Sequence, residues 1–169
     1  MILVIHDGDK KFENKIRESL VGLGEIEFIT EDSPILQCIG CFGCWIKTPM
    51  KCVLNDDYSD TPSKLAKADE VIIISRCCYG TYSPFVKNVF DRSIGYMDPD
   101  FTKVDGEMHH KNRYDKWLDL SVYFYGNISD REKSTAQRLV EANLINLHAK
   151  LKKIGFYKSL DEIKIGEDD

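Results

Sequence analysis

Apolar and polar positions fall in blocks along the chain, and the period of each block names an element. Ile2-Leu3-Val4-Ile5 is apolar at successive positions, as a parallel strand buried on both faces requires. From Lys11, the spacing of Phe12, Ile16, Leu20 and Leu23 gives a helix one apolar face, with Gly22 and Gly24 available to end it. Ile26 to Thr30 predicts a second strand. Leu65 and Ala68 mark a short helix begun near Asp57 or at Thr61, with Pro62 in its first turn. Val71-Ile72-Ile73-Ile74, the strongest strand signal, follows. Phe85, Val86, Val89, Phe90 and Ile94 then recur at helical spacing behind Ser83, a good N-cap, and Pro84. Leu118 to Tyr125 predicts a fourth strand. Asp130 to Lys153 predicts one long helix carrying Ala136, Leu139, Val140, Ala142, Leu144, Leu147 and Leu151, with Gly155 beyond its end, and a short fifth strand is expected within Leu160 to Ile165.

Strands alternating with helices in this way predict an α/β domain spanning residues 1–169, built on a doubly wound five-stranded parallel sheet. In such sheets ligands bind outside the carboxyl ends of the strands, at the switch point. Three loops fall there: Asp7 to Lys11 (with Gly8 and Lys10), Ser75 to Thr81, and Tyr125 to Ser129, which includes Gly126. Two long stretches, Glu31 to Asp56 and Gly95 to Tyr114, lack periodicity, and long irregular connections usually carry function.

Charge narrows the range of partners. With 169 residues and a formal net charge of -5, acidic and basic groups intermingled, the chain offers no basic face to nucleic acid and no polybasic membrane anchor. The opening Met1 to Gly8 is too short an apolar run for a signal peptide and lacks a basic leader, so a cytoplasmic protein is expected. The six cysteines are then reduced thiols or ligands rather than bridges. Four of them form Cys38-x2-Cys41-x2-Cys44-x7-Cys52, a spacing that suits an iron–sulfur cluster, zinc, or free thiols on a structural loop.

Cys38-Ile39-Gly40-Cys41-Phe42-Gly43-Cys44-Trp45, then Thr48-Pro49, Cys52 and Asp56-Asp57, resemble the NADPH-dependent FMN reductase superfamily, nearest to its iron–sulfur flavoprotein branch. Ser75-Arg76-Cys77-Cys78-Tyr79-Gly80, with Ser83, Lys87, Phe90, Asp91 and Arg92, is similar to the family's flavin-ring loop and the helix behind it. The resemblance implies a flavodoxin-like fold and an FMN-dependent oxidoreductase, supplied by NAD(P)H and serving a small-molecule or protein electron acceptor. It also implies a homodimer with the flavin near the interface. Ser75, Arg76, Cys77, Cys78, Tyr79 and Gly80 would contact the ring, while Cys38, Cys41, Cys44 and Cys52 would be the cluster's ligands. FMN is expected over FAD, since a domain of this size has no evident second pocket for an adenosine. The alternative is a non-enzymatic electron carrier or redox sensor.

The sequence departs from the family at three places. Proline is usual where Arg76 stands, and tyrosine where Cys78 stands. The first loop, Asp7-Gly8-Asp9-Lys10-Lys11, replaces a hydroxyl-rich phosphate turn: Lys10 or Lys11 would pair with phosphate, and Asp7 and Asp9 would repel it. Among the remaining polar groups, Asp56-Asp57 reads as a helix cap. His109 and His110, near Arg113 and Tyr114, either line a pocket or are solvated on a loop, and Cys77 and Cys78 are either flavin contacts or simply small buried residues.

Overall fold

The computed structural model describes residues 1–166. Among the described residues seven strands form: β1 (Ile2–His6), β2 (Ile26–Thr30), β3 (Glu70–Arg76), β4 (Phe101–Val104), β5 (Glu107–His110), β6 (Leu118–Tyr125) and β7 (Ala149–Tyr157). The α-helices are α1 (Lys10–Ser19), α2 (Gly43–Ile46), α3 (Thr61–Lys67), α4 (Pro84–Arg92) and α5 (Asp130–Leu147). The main sheet has the order β2-β1-β3-β6-β7, with every pairing parallel. This is the doubly wound order of the flavodoxin-like fold, as expected, with its switch point between β1 and β3.

Successive strand residues bury themselves on opposite faces. Leu3, Ile5, Val71, Ile73, Leu120, Val122 and Phe124 join the core beneath α3, α4 and α5. Ile2, Val4, Ile72, Ile74 and Tyr123 pack on the other side with Phe12 and Ile16 of α1 and with Ile163 and Ile165. Burial of both faces explains why the strands read as unbroken apolar runs. Ser83 caps α4 by accepting the Val86 N–H, and Ser129 with Glu132 forms a complete capping box on α5.

Four expectations need correction. The helix from Asp130 ends at Leu147 rather than Lys153, because His148 takes the left-handed conformation (φ 49°) and turns the chain into β7. Leu147 and Leu151 share helical spacing, but pairing with buried β6 wins, and the fifth strand is β7. Leu160–Glu162, where that strand was expected, is a single 3-10 turn. Finally, the stretch from Gly95 to Tyr114 contains an antiparallel hairpin, β4 with β5, and α1 stops at Ser19, leaving Leu23 exposed.

His6 closes β1 fully buried, edge-on to the rings of Phe12 and Phe28 at 5.9 Å each. Its Nδ1 accepts the Gly8 N–H at 3.2 Å, which puts the ring proton on Nε2 and keeps the imidazole neutral. Burial lowers its pKa below the ordinary 6.5, against the pull of Glu13 and Asp7. Below the unfolded value the denatured chain therefore binds a proton that the native protein refuses, and stability is lost as the pH falls. The expected slope approaches about 1.4 kcal/mol per pH unit. Urea denaturation at pH 7 and at about pH 5.5 measures it, and His6→Gln should flatten the dependence in this window; an equally steep loss in the variant would assign the effect to another group.

Candidate functional site

The carboxyl edge of the sheet is organised around Asp7, the first residue beyond β1. Its carboxylate accepts the Arg76 N–H at the end of β3 (2.9 Å to Oδ2) and the Tyr125 hydroxyl at the end of β6 (3.0 Å to Oδ1). One side chain thus links the carboxyl ends of three strands. Burial first, and then the Asp7 charge, push the Tyr125 phenol far above its ordinary pKa, which keeps it a donor.

Beyond β3 the chain makes a two-residue turn. Cys78 and Thr81 exchange both backbone hydrogen bonds (2.9 and 3.0 Å), and the two residues between them, Tyr79 and Gly80, both have positive φ (55° and 80°). Such turns favour asparagine or glycine, so an aromatic residue at the first position is held against its backbone preference. Its side chain is 93% exposed. Gly80 has no room for a side chain, since a Cβ would lie 2.7 Å from Thr135 Cβ and 2.9 Å from the Glu132 carbonyl. Glu132 secures this arrangement from the β6 side: the hydroxyl and amide of Ser129 and the Tyr79 amide lower its pKa. The cap signature Ser129-x-x-Glu132 is visible in the sequence, but its second role in seating the Tyr79 turn is not.

Other residues expected at the site have structural roles. Ser75 is buried, and its hydroxyl accepts the Ser83 N–H at 2.8 Å, fixing the start of α4. The Cys77 amide bonds the Tyr125 carbonyl, and burial raises its thiol pKa. Arg76 is exposed, its Cγ 3.9 Å from where a Cβ on Gly126 would lie. Gly126 (φ 122°) begins a loop that borders an open cavity of about 490 Å³, shared with Ile128, Lys133, Phe156, Tyr157 and Lys158.

The residues fit the two parts of FMN unequally. The exposed Tyr79 turn and the Gly126 loop leave open backbone and an aromatic face for a flat ring. The β1 loop does not fit a phosphate. Its Gly8 N–H is taken by His6, the Phe12 N–H by the Asp9 carboxylate (2.8 Å), and the Glu13 N–H by the Asp9 carbonyl. The space over Gly8 is filled by the ring of Phe12 and by Leu160, 2.6 and 3.3 Å from a Cβ placed there. Lys10 pairs with buried Glu13 at 2.7 Å instead of facing the loop, and Lys11 is exposed.

The cysteine segment is held by a buried ion pair. Arg92 is 1% exposed, its guanidinium bidentate on Asp56 and also donating to the Leu36 carbonyl at 3.1 Å. Asp56, expected as a helix cap, anchors this arginine instead, and its carboxylate accepts the amides of Leu36 and Tyr58. Cys38, Cys41, Cys44 and Cys52 all line one cavity of about 50 Å³ beside Arg92. Among the described residues, however, no three His, Cys, Asp or Glu side chains are placed to hold a metal ion. Burial raises the Cys44 thiol pKa, while Cys38 and Cys41 are exposed. His109 and His110 lie on β5 rather than in a loop: His109 pairs with Asn146 at 3.1 Å, and His110 sits between Trp45 and Phe101 with ring centroids 4.8 and 4.6 Å away.

No family model matches the chain. Over 83 residues, 46% of its length, the chain is 35% identical to an iron–sulfur flavoprotein of Methanocaldococcus jannaschii, and the match spans 42% of that protein. A solved flavone reductase superposes with a TM-score of 0.59 at 16% identity, covering 93% of this chain and 53% of the other. An FMN-dependent NADH-azoreductase from Bacillus anthracis, solved with FMN, gives 0.54 at 12% identity over 92% of this chain and 84% of its own. The chain therefore shares its flavodoxin-like fold with these solved structures. Among the described residues, no helix is long and apolar enough to cross a membrane.

Breaking the buried pair tests what fixes the cysteine segment. Asp56→Asn leaves a sealed guanidinium short of its counter-charge, a change expected to cost about 3–5 kcal/mol. In the unaltered protein a maleimide should label Cys38 and Cys41 first and Cys44 last; in the variant Cys44 should react faster at temperatures where the fold persists. Unchanged melting and an unchanged labelling order would show that the pair does not hold the segment.

Proposed function

We propose that the protein is a flavin-dependent oxidoreductase that seats the isoalloxazine ring at the carboxyl edge of the sheet, between the Tyr79 turn and the Gly126 loop. The observation that carries this reading is Tyr79 itself, an exposed aromatic ring kept at positive φ at the switch point. Strained backbone of this kind persists where the surroundings enforce it, and it concentrates at ligand sites. The shared fold with an azoreductase solved with FMN, and the partial identity to an iron–sulfur flavoprotein, support a flavin as the ligand. A bound flavin supplies the redox chemistry, with NAD(P)H as the donor and a small molecule or protein as the acceptor. The chain's own part is positional: Tyr79 offers a ring face, Gly126 lets backbone approach the ligand, Gly80 lets the Tyr79 turn pack closely on α5, and Glu132 and Asp7 hold the loops in register.

The reading includes a homodimer. Phe42 and Trp45 stack at 5.3 Å, Trp45 meets His110, and His110 meets Phe101, so one aromatic row runs from the cysteine segment onto the β4–β5 hairpin. Phe42 and Phe101 of this row are exposed, as are Met108 on the same hairpin and Ile39 and Ile46 on the cysteine segment. Exposed apolar side chains gathered in this way mark an association surface, and we assign it to a second copy of the chain. Phe101→Asp should convert a dimer into a monomer in light scattering; a monomer before mutation would remove the assignment.

Flavin binding is tested by titrating the full chain into riboflavin and into FMN, followed by fluorescence. Quenching and a shifted absorbance band are expected with at least one of them, and the complex should be reduced by NADH or NADPH. Tyr79→Ser should weaken binding by about fivefold, the equivalent of about 1 kcal/mol of lost aromatic contact. No spectral change with either flavin would overturn the proposal.

A further inference from the structure

We infer that the crevice selects a flavin without a terminal phosphate, of the riboflavin class, over FMN, and that Asp7 is the residue that imposes the choice. The inference rests on the flavin site proposed above and concerns its other end.

A helix that starts beside a strand end is a ready anion site when its first amides are free and its loop is neutral or basic. At α1 the amides are partly committed and the loop carries two carboxylates, Asp7 and Asp9. The Asp9 carboxylate already occupies the Phe12 amide, and the Gly8 amide is committed to His6. The charges facing the loop have been neutralised selectively. Lys10 and Arg17 both bind the one buried carboxylate of Glu13, at 2.7 and 2.6 Å, and Lys10 also lies 4.0 Å from Asp32. Asp7 and Asp9 remain on the loop, with exposed Lys11 as the nearby cation. Arg76 lies toward Gly126, on the ring side of the edge.

Asp7 also has its own reason to stay. It accepts the Arg76 amide and the Tyr125 hydroxyl, the kind of donors that an incoming anion would use. It therefore acts as a built-in anion: it satisfies the strand ends from within and meets a phosphate dianion with like charge at short range. An uncharged ribityl chain carries no such penalty, and its hydroxyls can donate to the free lone pairs of the carboxylate.

Isothermal titration calorimetry on the full chain with riboflavin and with FMN tests this. Riboflavin should bind at least about tenfold more tightly than FMN at low salt. Adding salt to about 1 M should narrow the gap by screening the repulsion, a readout that needs no mutation. Asp7→Asn, which keeps an acceptor for the Arg76 amide but removes the charge, should narrow the gap at low salt. If that variant fails to fold, Asp7→Ser, which offers a hydroxyl acceptor without the charge, should narrow it in the same sense. Equal or tighter binding of FMN by the unaltered protein overturns the inference and leaves the flavin site standing. A gap that responds to neither salt nor charge removal overturns Asp7 as the determinant. Failure to bind either flavin overturns the flavin site and the inference with it.

Discussion

The pairing of Arg92 with Asp56 is the constraint on which the outer half of the molecule depends. A guanidinium sealed from water at the end of α4 must find a counter-charge and carbonyls, because an unpaired buried cation costs more than the fold can spare. Asp56 and the Leu36 carbonyl meet that demand, and both belong to the segment between β2 and α3. A stretch of more than twenty residues with little regular structure is thereby fixed against the helix layer at both its ends. The same segment is tied to the helix layer at two further points, the Cys38 amide on Asn88 and the Trp45 indole N–H on the Ile94 and Met97 carbonyls, and the second of these places the row of stacked rings.

Asp7 plays the corresponding part at the carboxyl edge. Three strands end beside it, and its two oxygens take one donor from the end of β3 and one from the end of β6. The interior of the sheet is held by apolar contact, but the edge is a polar assembly in which each loop depends on the next: β1 to β3 and β6 through Asp7, β3 to α5 through Glu132. Arrangements of this kind orient backbone accurately without enclosing it, as a shallow ligand crevice requires.

Much of this architecture was legible in the residues. Ile2 to Ile5 and Val71 to Ile74 could be read as buried parallel strands because both their faces are apolar, and Ser83-Pro84 announced α4 through cap chemistry. The end of α5 was not legible, because Leu147 and Leu151 keep helical spacing across a boundary set by the left-handed His148 and by pairing with β6. The β4–β5 hairpin was missed because its residues alternate weakly and its anchor, Trp45, is far away in sequence. At the site, the loops could be located from topology, but the partners of Asp7, Lys10, Asp56 and Glu132 are long-range or depend on side-chain direction. A spacing rule cannot show that a lysine points at its own helix instead of at a ligand.

β7 carries a different consequence. It is nine residues long and ends the sheet, so one side of its backbone faces outward with a row of amides and carbonyls. A flat, apolar border of that length would recruit a stray strand from another chain. Here Lys150, Lys152 and Lys153 crowd the first half, and a one-residue irregularity in register opposite Leu120 and Ser121 bends the strand at the same place. Charge and bend together make the border a poor template for growth, which guards the protein against aggregation while its most apolar strands lie safely inside.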